Sequence, residues 1–209
     1  MKHIDLLLKH RPELSRCETE IRAAVDAIIE MYCDGAKLLL CGNGGSAADC
    51  SHIAGELLKG FLLKRPITEA DRELLAELPH HTSLQRGICA ISLPDQGAVL
   101  SAYANDEVPD MVYAQLVYAM QNEGDVFLGI STSGNSKNVV LAAQCAKSLG
   151  MKTIAMTGEH GGKLAEICDI VIAVPAVETY LVQEYHLPVY HAICAQVEET
   201  LFGEYESNA

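Results

Sequence analysis

Apolar residues along this chain fall into two kinds of pattern. Five short runs are unbroken or nearly so: Lys37–Cys41, Ile88–Leu93, Asp125–Ile130, Thr153–Met156 and Ile170–Val174. A continuous apolar run leaves no face for solvent, so each predicts a strand covered on both sides. Elsewhere the apolar residues recur every three or four positions. Between Pro12 and Asp34 they are Leu14, Cys17, Ile21, Val25, Ile28 and Tyr32, with Gly35 as the stop; this spacing predicts one helix. Further helices are expected over Ser46–Lys59, in two pieces within 95–122 broken near Asn105 and Pro109, over Ser136–Leu149, briefly over Gly162–Ile167, and over Thr179–Phe202. Strands that alternate with helices predict an α/β fold: a five-stranded, parallel, doubly wound, flavodoxin-like sheet flanked by helices. Ligands of such sheets sit at the C-terminal strand ends, near the reversal of strand order.

One segment interrupts the alternation. Phe61–Arg86 carries Lys64-Arg65-Pro66 and then the charged stretch Glu69–Glu77. It is expected to be a loop with a short amphipathic helix on or beside the sheet, an insertion at about 61–86. The whole of 1–209 reads as a single domain with an N-terminal helical segment over 1–35.

Bulk composition narrows the function classes. The chain has 209 residues, enough for a domain with a full core. It has no stretch of 18 apolar residues, which argues against a membrane span. Its start, Met1-Lys2-His3-Ile4-Asp5, lacks the pattern of a secretion signal, so a cytoplasmic protein is expected. A formal net charge of −13 argues against nucleic-acid backbones as partners. An anionic ligand would need a local site of backbone N–H groups or a few cations. The eight cysteines form no C-x-x-C pair and are expected to be buried, reduced thiols.

Two strand-to-helix loops carry candidate chemistry. In Gly129–Asn138, GISTSGNSKN, four hydroxyls stand within six residues just before a helix: Ser131, Thr132, Ser133 and Ser136. Free N–H groups at a helix start, its positive end and several hydroxyls make a phosphate cradle without lysine. Simple capping by Ser133 or Ser136 is the alternative, but it needs one hydroxyl rather than four. The second loop, Cys41–Ala47 (CGNGGSA), matches G-x-G-x-x-A loosely. The acidic partner of a dinucleotide site is missing, because the next strand ends some fifty residues on; a tight turn close to a ligand is the better reading. His52 and Glu56, four apart, share a helix face and could act as acid and base or bind a metal together. Gln183, Glu184, His186 and His191 cluster on the last helix, where Pro188 leaves their relative facing open.

Taken in order, CGNGGSAAD, ANDE (Ala104–Glu107), GISTSGNS, MTGEHGGKLAE (Met156–Glu166) and VQEYHLPVYH (Val182–His191) resemble the sugar isomerase (SIS) domain, and more narrowly the phosphoheptose isomerase family. The resemblance implies a homotetramer with active sites between subunits, acting on sedoheptulose 7-phosphate. It implies that Ser131, Thr132, Ser133 and Ser136 hold the phosphate, and that Asn43, Gly44, Ser46, Asp106 and Gln183 contact the sugar. It assigns Glu56 and His191 as catalytic, and His52, Glu56, Gln183 and His191 as ligands of zinc. The family's arginine after the glutamate is replaced here by Gly60, with Lys59, Lys64 and Arg65 nearby as substitutes. Some SIS relatives bind sugar phosphates without catalysis and act through a protein or DNA partner; the joint presence of Glu56 and His191 favours the enzyme.

Overall fold

The computed structural model describes residues 1–203. Its sheet has five parallel strands, β1 (Leu38–Gly42), β2 (Ala90–Ser92), β3 (Val126–Ile130), β4 (Lys152–Thr157) and β5 (Ile170–Ala173), in the order β2-β1-β3-β4-β5. Leu38 stands beside both Ala90 and Val126, so β1 is central to its neighbours' register. Every residue of β1 and β3 is buried, as their unbroken apolar runs require.

The helices are α1 (Lys2–His10), α2 (Glu18–Cys33), α3 (Gly45–Leu58), α4 (Glu69–Leu74), α5 (Gly97–Asp106), α6 (Val112–Met120), α7 (Lys137–Ser148), α8 (Leu164–Ile167) and α9 (Thr179–Phe202). Alternate strand residues feed two separate cores, one on each face of the sheet. Leu38, Leu40, Val126 and Leu128 join α1, α2, α3 and α9. Leu39, Cys41 and Phe127 join α6, α7 and α8. This is the doubly wound arrangement expected from the sequence.

Strand order reverses between β1 and β3, which sets their C-terminal loops side by side. The loop after β1 opens α3, and the loop after β3 opens α7. The Asn43 and Asn138 carboxamides bridge the two: Asn43 Nδ2 donates to Asn138 Oδ1 at 2.8 Å, and Asn138 Nδ2 donates back to Asn43 Oδ1 at 3.0 Å.

Some expectations are revised. Pro12–Asp34 is not one helix: Pro12–Cys17 is a 3₁₀ segment, and α2 begins only at Glu18. Arg11, preceding a proline, leaves the helical region (φ −134°, ψ 70°) and separates α1 from the 3₁₀ segment. The Cys17 thiol donates to the Leu14 carbonyl at 3.3 Å, which supports the tighter turn. In the 61–86 segment α4 is present but buries no residue, and Leu74 is 81 % exposed, so the helix has no packed apolar face. The segment instead closes on itself through a Pro66–Gln85 bridge and an Arg86 N–H to Arg65 carbonyl bond of 2.7 Å. The cysteines divide: Cys17, Cys41, Cys50 and Cys194 are buried, Cys145 and Cys168 half-buried, and Cys33 and Cys89 exposed; all are free thiols. Burial pushes the Cys17 thiol up to about 11 and Cys194 to about 12, which keeps both protonated and inert.

Candidate active site

The hydroxyl-rich loop is tightly built. Ser131 is buried and its Oγ donates to Ser136 Oγ at 3.0 Å. Ser133 Oγ accepts the Asn135 N–H at 3.2 Å. Ser136 stands at the N-cap of α7 but makes no side-chain capping bond, so capping does not account for the hydroxyls. Gly134 takes φ +67°, and a Cβ there would lie 1.9 Å from the Gly161 carbonyl oxygen. Only glycine allows the 158–162 turn to press against this loop, where Gly158 N–H donates to the Thr132 carbonyl at 2.9 Å and Leu164 N–H to the Gly134 carbonyl at 3.1 Å. The nearest lysine in sequence, Lys137, is held by Asp110 at 2.6 Å.

α3 and α9 lie side by side, and their contacts advance in step. Gln183 packs on Gly45, its Nε2 2.5 Å from where a Cβ would stand. Two turns later Tyr190 Oη meets His52 Nδ1 at 2.9 Å and Asp49 Oδ1 at 3.3 Å. Two further turns on, Glu198 meets the chain just beyond α3. The helices therefore run parallel, and Pro188 sits inside α9 without ending it.

His52 Nε2 lies 3.2 Å from Glu56 Oε1. The His191 ring stands edge-on to His52 at 4.9 Å between centroids, and contacts Tyr190 at 5.0 Å and Phe61 at 5.6 Å. His191 Nε2 is buried with no hydrogen-bond partner. Burial and the neighbouring His52 hold the His191 imidazole below its ordinary range, with Glu56 opposing the shift. His191 also lines a groove of about 330 Å³ with His3, Leu7, His10, Phe61 and Pro188. That groove is mostly apolar and reaches neither loop.

The end of α3 is secured by a buried ion pair. Arg65 and Glu198 are both fully buried and meet at 2.7 Å. Arg65 Nη1 donates to the Leu57 carbonyl at 2.6 Å and Nη2 to the Glu56 carbonyl at 3.1 Å, satisfying acceptors that a helix end leaves open. Glu198 accepts the N–H groups of Phe61, Leu62 and Leu63. Arg65 is thus a structural residue, fully buried and not available to a ligand. Nor can position 60 hold a side chain: a Cβ there would fall 2.3 Å from the Leu63 carbonyl oxygen and 2.5 Å from Gln85 Oε1. Lys59 is the cation that reaches the glutamate, its Nζ 3.4 Å from Glu56 Oε2.

The expected residues are therefore gathered unequally. His52, Glu56 and His191 come together; Asn43, Gly44, Ser46 and Gln183 lie about the start of α3, with Ser46 buried. Asp106 ends α5, where its carboxylate accepts from Asn105 at 2.8 Å. It lines a separate groove with Tyr103, Glu107 and Gln115, and no contact among the described residues ties it to the loops or to His52–Glu56. The four-residue zinc set is not closed either. Gln183 rests on Gly45, and among the described residues no three His, Cys, Asp or Glu converge as a metal site. The 3.2 Å His52–Glu56 pair and the orphaned His191 nitrogen are its assembled part. Sequence reading missed Tyr190, Asp49, Asn138, Phe61 and Glu198. Tyr190 stands inside the VQEYHLPVYH run, Asp49 ends the CGNGGSAAD run and Asn138 lies two residues beyond Ser136, so those three had a local signal; Phe61 and Glu198 had none.

Residues 13–158 match the SIS domain family model. The chain is 38 % identical over 184 residues to the phosphoheptose isomerase of Burkholderia pseudomallei, covering 88 % of this chain and 83 % of that protein. It is 40 % identical over 174 residues to the phosphoheptose isomerase of Aneurinibacillus thermoaerophilus, covering 83 % and 78 %. The solved phosphoheptose isomerase of Neisseria gonorrhoeae superposes with a TM-score of 0.71 at 31 % identity, covering 94 % of this chain and 96 % of that one. With the 2-1-3-4-5 sheet and the paired loops at its reversal point, these likenesses make the chain a member of the SIS-domain family and, within it, of the phosphoheptose isomerases.

Proposed function

We propose that this chain converts sedoheptulose 7-phosphate to glycero-manno-heptose 7-phosphate by proton transfer through an enediol. The observation that carries the reading is the meeting of a carboxylate and two imidazoles, Glu56 with His52 and His191, on the parallel pair α3 and α9. The loop Ser131–Ser136 binds the phosphate with neutral donors and the start of α7. Glu56 removes the proton from one of C1 and C2 and returns it at the other. His191, kept neutral by burial, moves the proton between the two oxygens. Asn43, Gly44, Ser46, Asp106 and Gln183 orient the sugar, Asp106 reaching it only from a second copy or after movement. A homotetramer, soluble in the cytoplasm, belongs to the same proposal, and the apolar groove beside His191 supports contact with another copy there.

Zinc is part of the proposal as well. Its donors would be His52, Glu56, Gln183 and His191; the buried, partnerless nitrogen of His191 supports it, and the distance of Gln183 from the pair weighs against a closed set in one chain. When bound, it would polarise the sugar's carbonyl and hydroxyl oxygens.

The test is incubation with sedoheptulose 7-phosphate and shorter ketose phosphates in D2O, followed by proton NMR. Deuterium entering C1 or C2 of the seven-carbon sugar alone is the expected result. Exchange in another sugar would move the substrate and keep the chemistry, and exchange in none would overturn the reading.

A further inference from the structure

The two carboxamides that bridge the loops at the sheet's reversal point are not equal partners. Asn138 lies in the first turn of α7 and is half-buried. Its Oδ1 accepts the backbone N–H of Val139 at 3.0 Å as well as Asn43 Nδ2 at 2.8 Å. The Val139 N–H is one of the donors that a helix start leaves open. Asn138 is thus fixed by its own helix. Asn43 has no such anchor. It is exposed, and among the described residues its carboxamide hydrogen-bonds only to Asn138. The backbone around it is held separately: Tyr113 Oη donates to the Gly42 carbonyl at 2.9 Å, and Gln183 rests on Gly45. The frame of the loop therefore does not depend on Asn138, whereas the direction of the Asn43 side chain does.

The bonds are reciprocal, each Nδ2 facing the other's Oδ1. Turning one amide alone would set oxygen against oxygen and nitrogen against nitrogen, so Asn138 selects one face of Asn43. A carboxamide has two N–H donors and two acceptor lone pairs. The clasp takes one of each from Asn43 and leaves one of each. A free donor beside a free acceptor is the complement of a hydroxyl, which both gives and accepts. An exposed pair of this kind adds little to stability, because water competes for both groups.

Resting on the proposed binding of a sugar phosphate, with Ser131–Ser136 on the phosphate and Asn43 on the sugar, we propose that Asn138 is a positioning residue. It orients Asn43 toward a sugar hydroxyl and ties the place of that hydroxyl to the phosphate loop that ends two residues before it. The phosphate and sugar contacts then act as one unit at a set separation.

The test measures affinity for sedoheptulose 7-phosphate by calorimetry in the full-length wild type, Asn138→Ala, Asn43→Ala and the double variant, with inorganic phosphate as a second probe. Asn138→Ala should weaken sugar-phosphate binding about 3- to 10-fold in the wild-type background, the worth of one well-placed hydrogen bond. It should weaken it no further in the Asn43→Ala background, because the effect passes through Asn43. Affinity for inorganic phosphate should be unchanged. Equal weakening in both backgrounds, weaker binding of inorganic phosphate, or no weakening at all would overturn the proposal. Asn138→Ser, too short to reach Asn43, replaces Asn138→Ala if that variant does not fold. Asn43 is also followed without ligand through its side-chain NH2 signals in 15N-asparagine-labelled protein, identified by their loss in Asn43→Ala. They should be ordered in the wild type and averaged by free rotation in Asn138→Ala. A wild type that binds no sugar phosphate would sink the substrate reading, and these signals would then decide whether Asn138 orders Asn43; signals unchanged by the variant would overturn it.

Discussion

Glu56 has both carboxylate oxygens engaged, Oε1 by His52 and Oε2 by Lys59. A carboxylate held from two sides, here the proposed base, is oriented before substrate arrives. Glu56→Gln should abolish exchange of deuterium into the sugar while calorimetry still finds sugar-phosphate binding; a near-normal rate would remove Glu56 from the mechanism. Gly60 makes a second prediction. Its Cβ position is occupied by the Leu63 carbonyl, so Gly60→Ala should cost about 1–3 kcal/mol in urea unfolding, as overpacking of a fixed backbone does. At this scale the sequence was partly legible. His52 and Glu56 were visible because i, i+4 on a helix fixes a shared face. Tyr190 and Asp49 were not, because their contact joins positions 141 apart and depends on how α9 lies against α3.

Among the elements, the strands were the clearest in the sequence. β1 and β3 are buried on both faces, and the unbroken apolar pattern records that directly, while the edge strands β2 and β5 keep one face half-buried. The start of α2 was obscured because Pro12–Cys17 carries a spacing compatible with either helix type. The link after α3 was the least legible. Its shape comes from one carboxylate, Glu198, that collects three backbone N–H groups and Arg65 from more than 130 residues away. Arg65→Met leaves that carboxylate buried without its cation and should destabilise the fold by about 3–5 kcal/mol. Glu198→Gln alone should also destabilise. The double variant should lose less than the sum of the two, the coupling being read from a double-mutant cycle in urea. Strict additivity would mean the two residues act separately. Because Arg65 also holds the Glu56 and Leu57 carbonyls, both single variants should lower kcat as well.

For the whole molecule, acid stability turns on His186. It is fully buried, one ring nitrogen facing the Thr157 carbonyl at 3.3 Å and the other without a partner. Burial lowers it from 6.5 to about 4, with the Thr157 bond opposing. The unfolded chain thus binds a proton that the folded chain refuses, and stability is lost as pH falls from about 6.5 to about 4. The loss should reach ~3 kcal/mol. His186→Gln should flatten the urea stability of the protein across that window; an unchanged slope would place the acid sensitivity elsewhere.

The proposed phosphate loop, Ser131–Ser136, carries a kinetic consequence. It is lined with hydroxyls and amides, its neighbouring Lys137 is neutralised by Asp110, and the chain around it bears a net charge of −13. Under the proposed assignment, a dianionic sugar would approach against the field of the protein and be gripped, once inside, by uncharged donors. Added salt should therefore speed association by screening repulsion while leaving the dissociation rate nearly unchanged. Stopped-flow binding across an ionic-strength series would then show affinity improving with salt, the reverse of a phosphate site made of lysine and arginine.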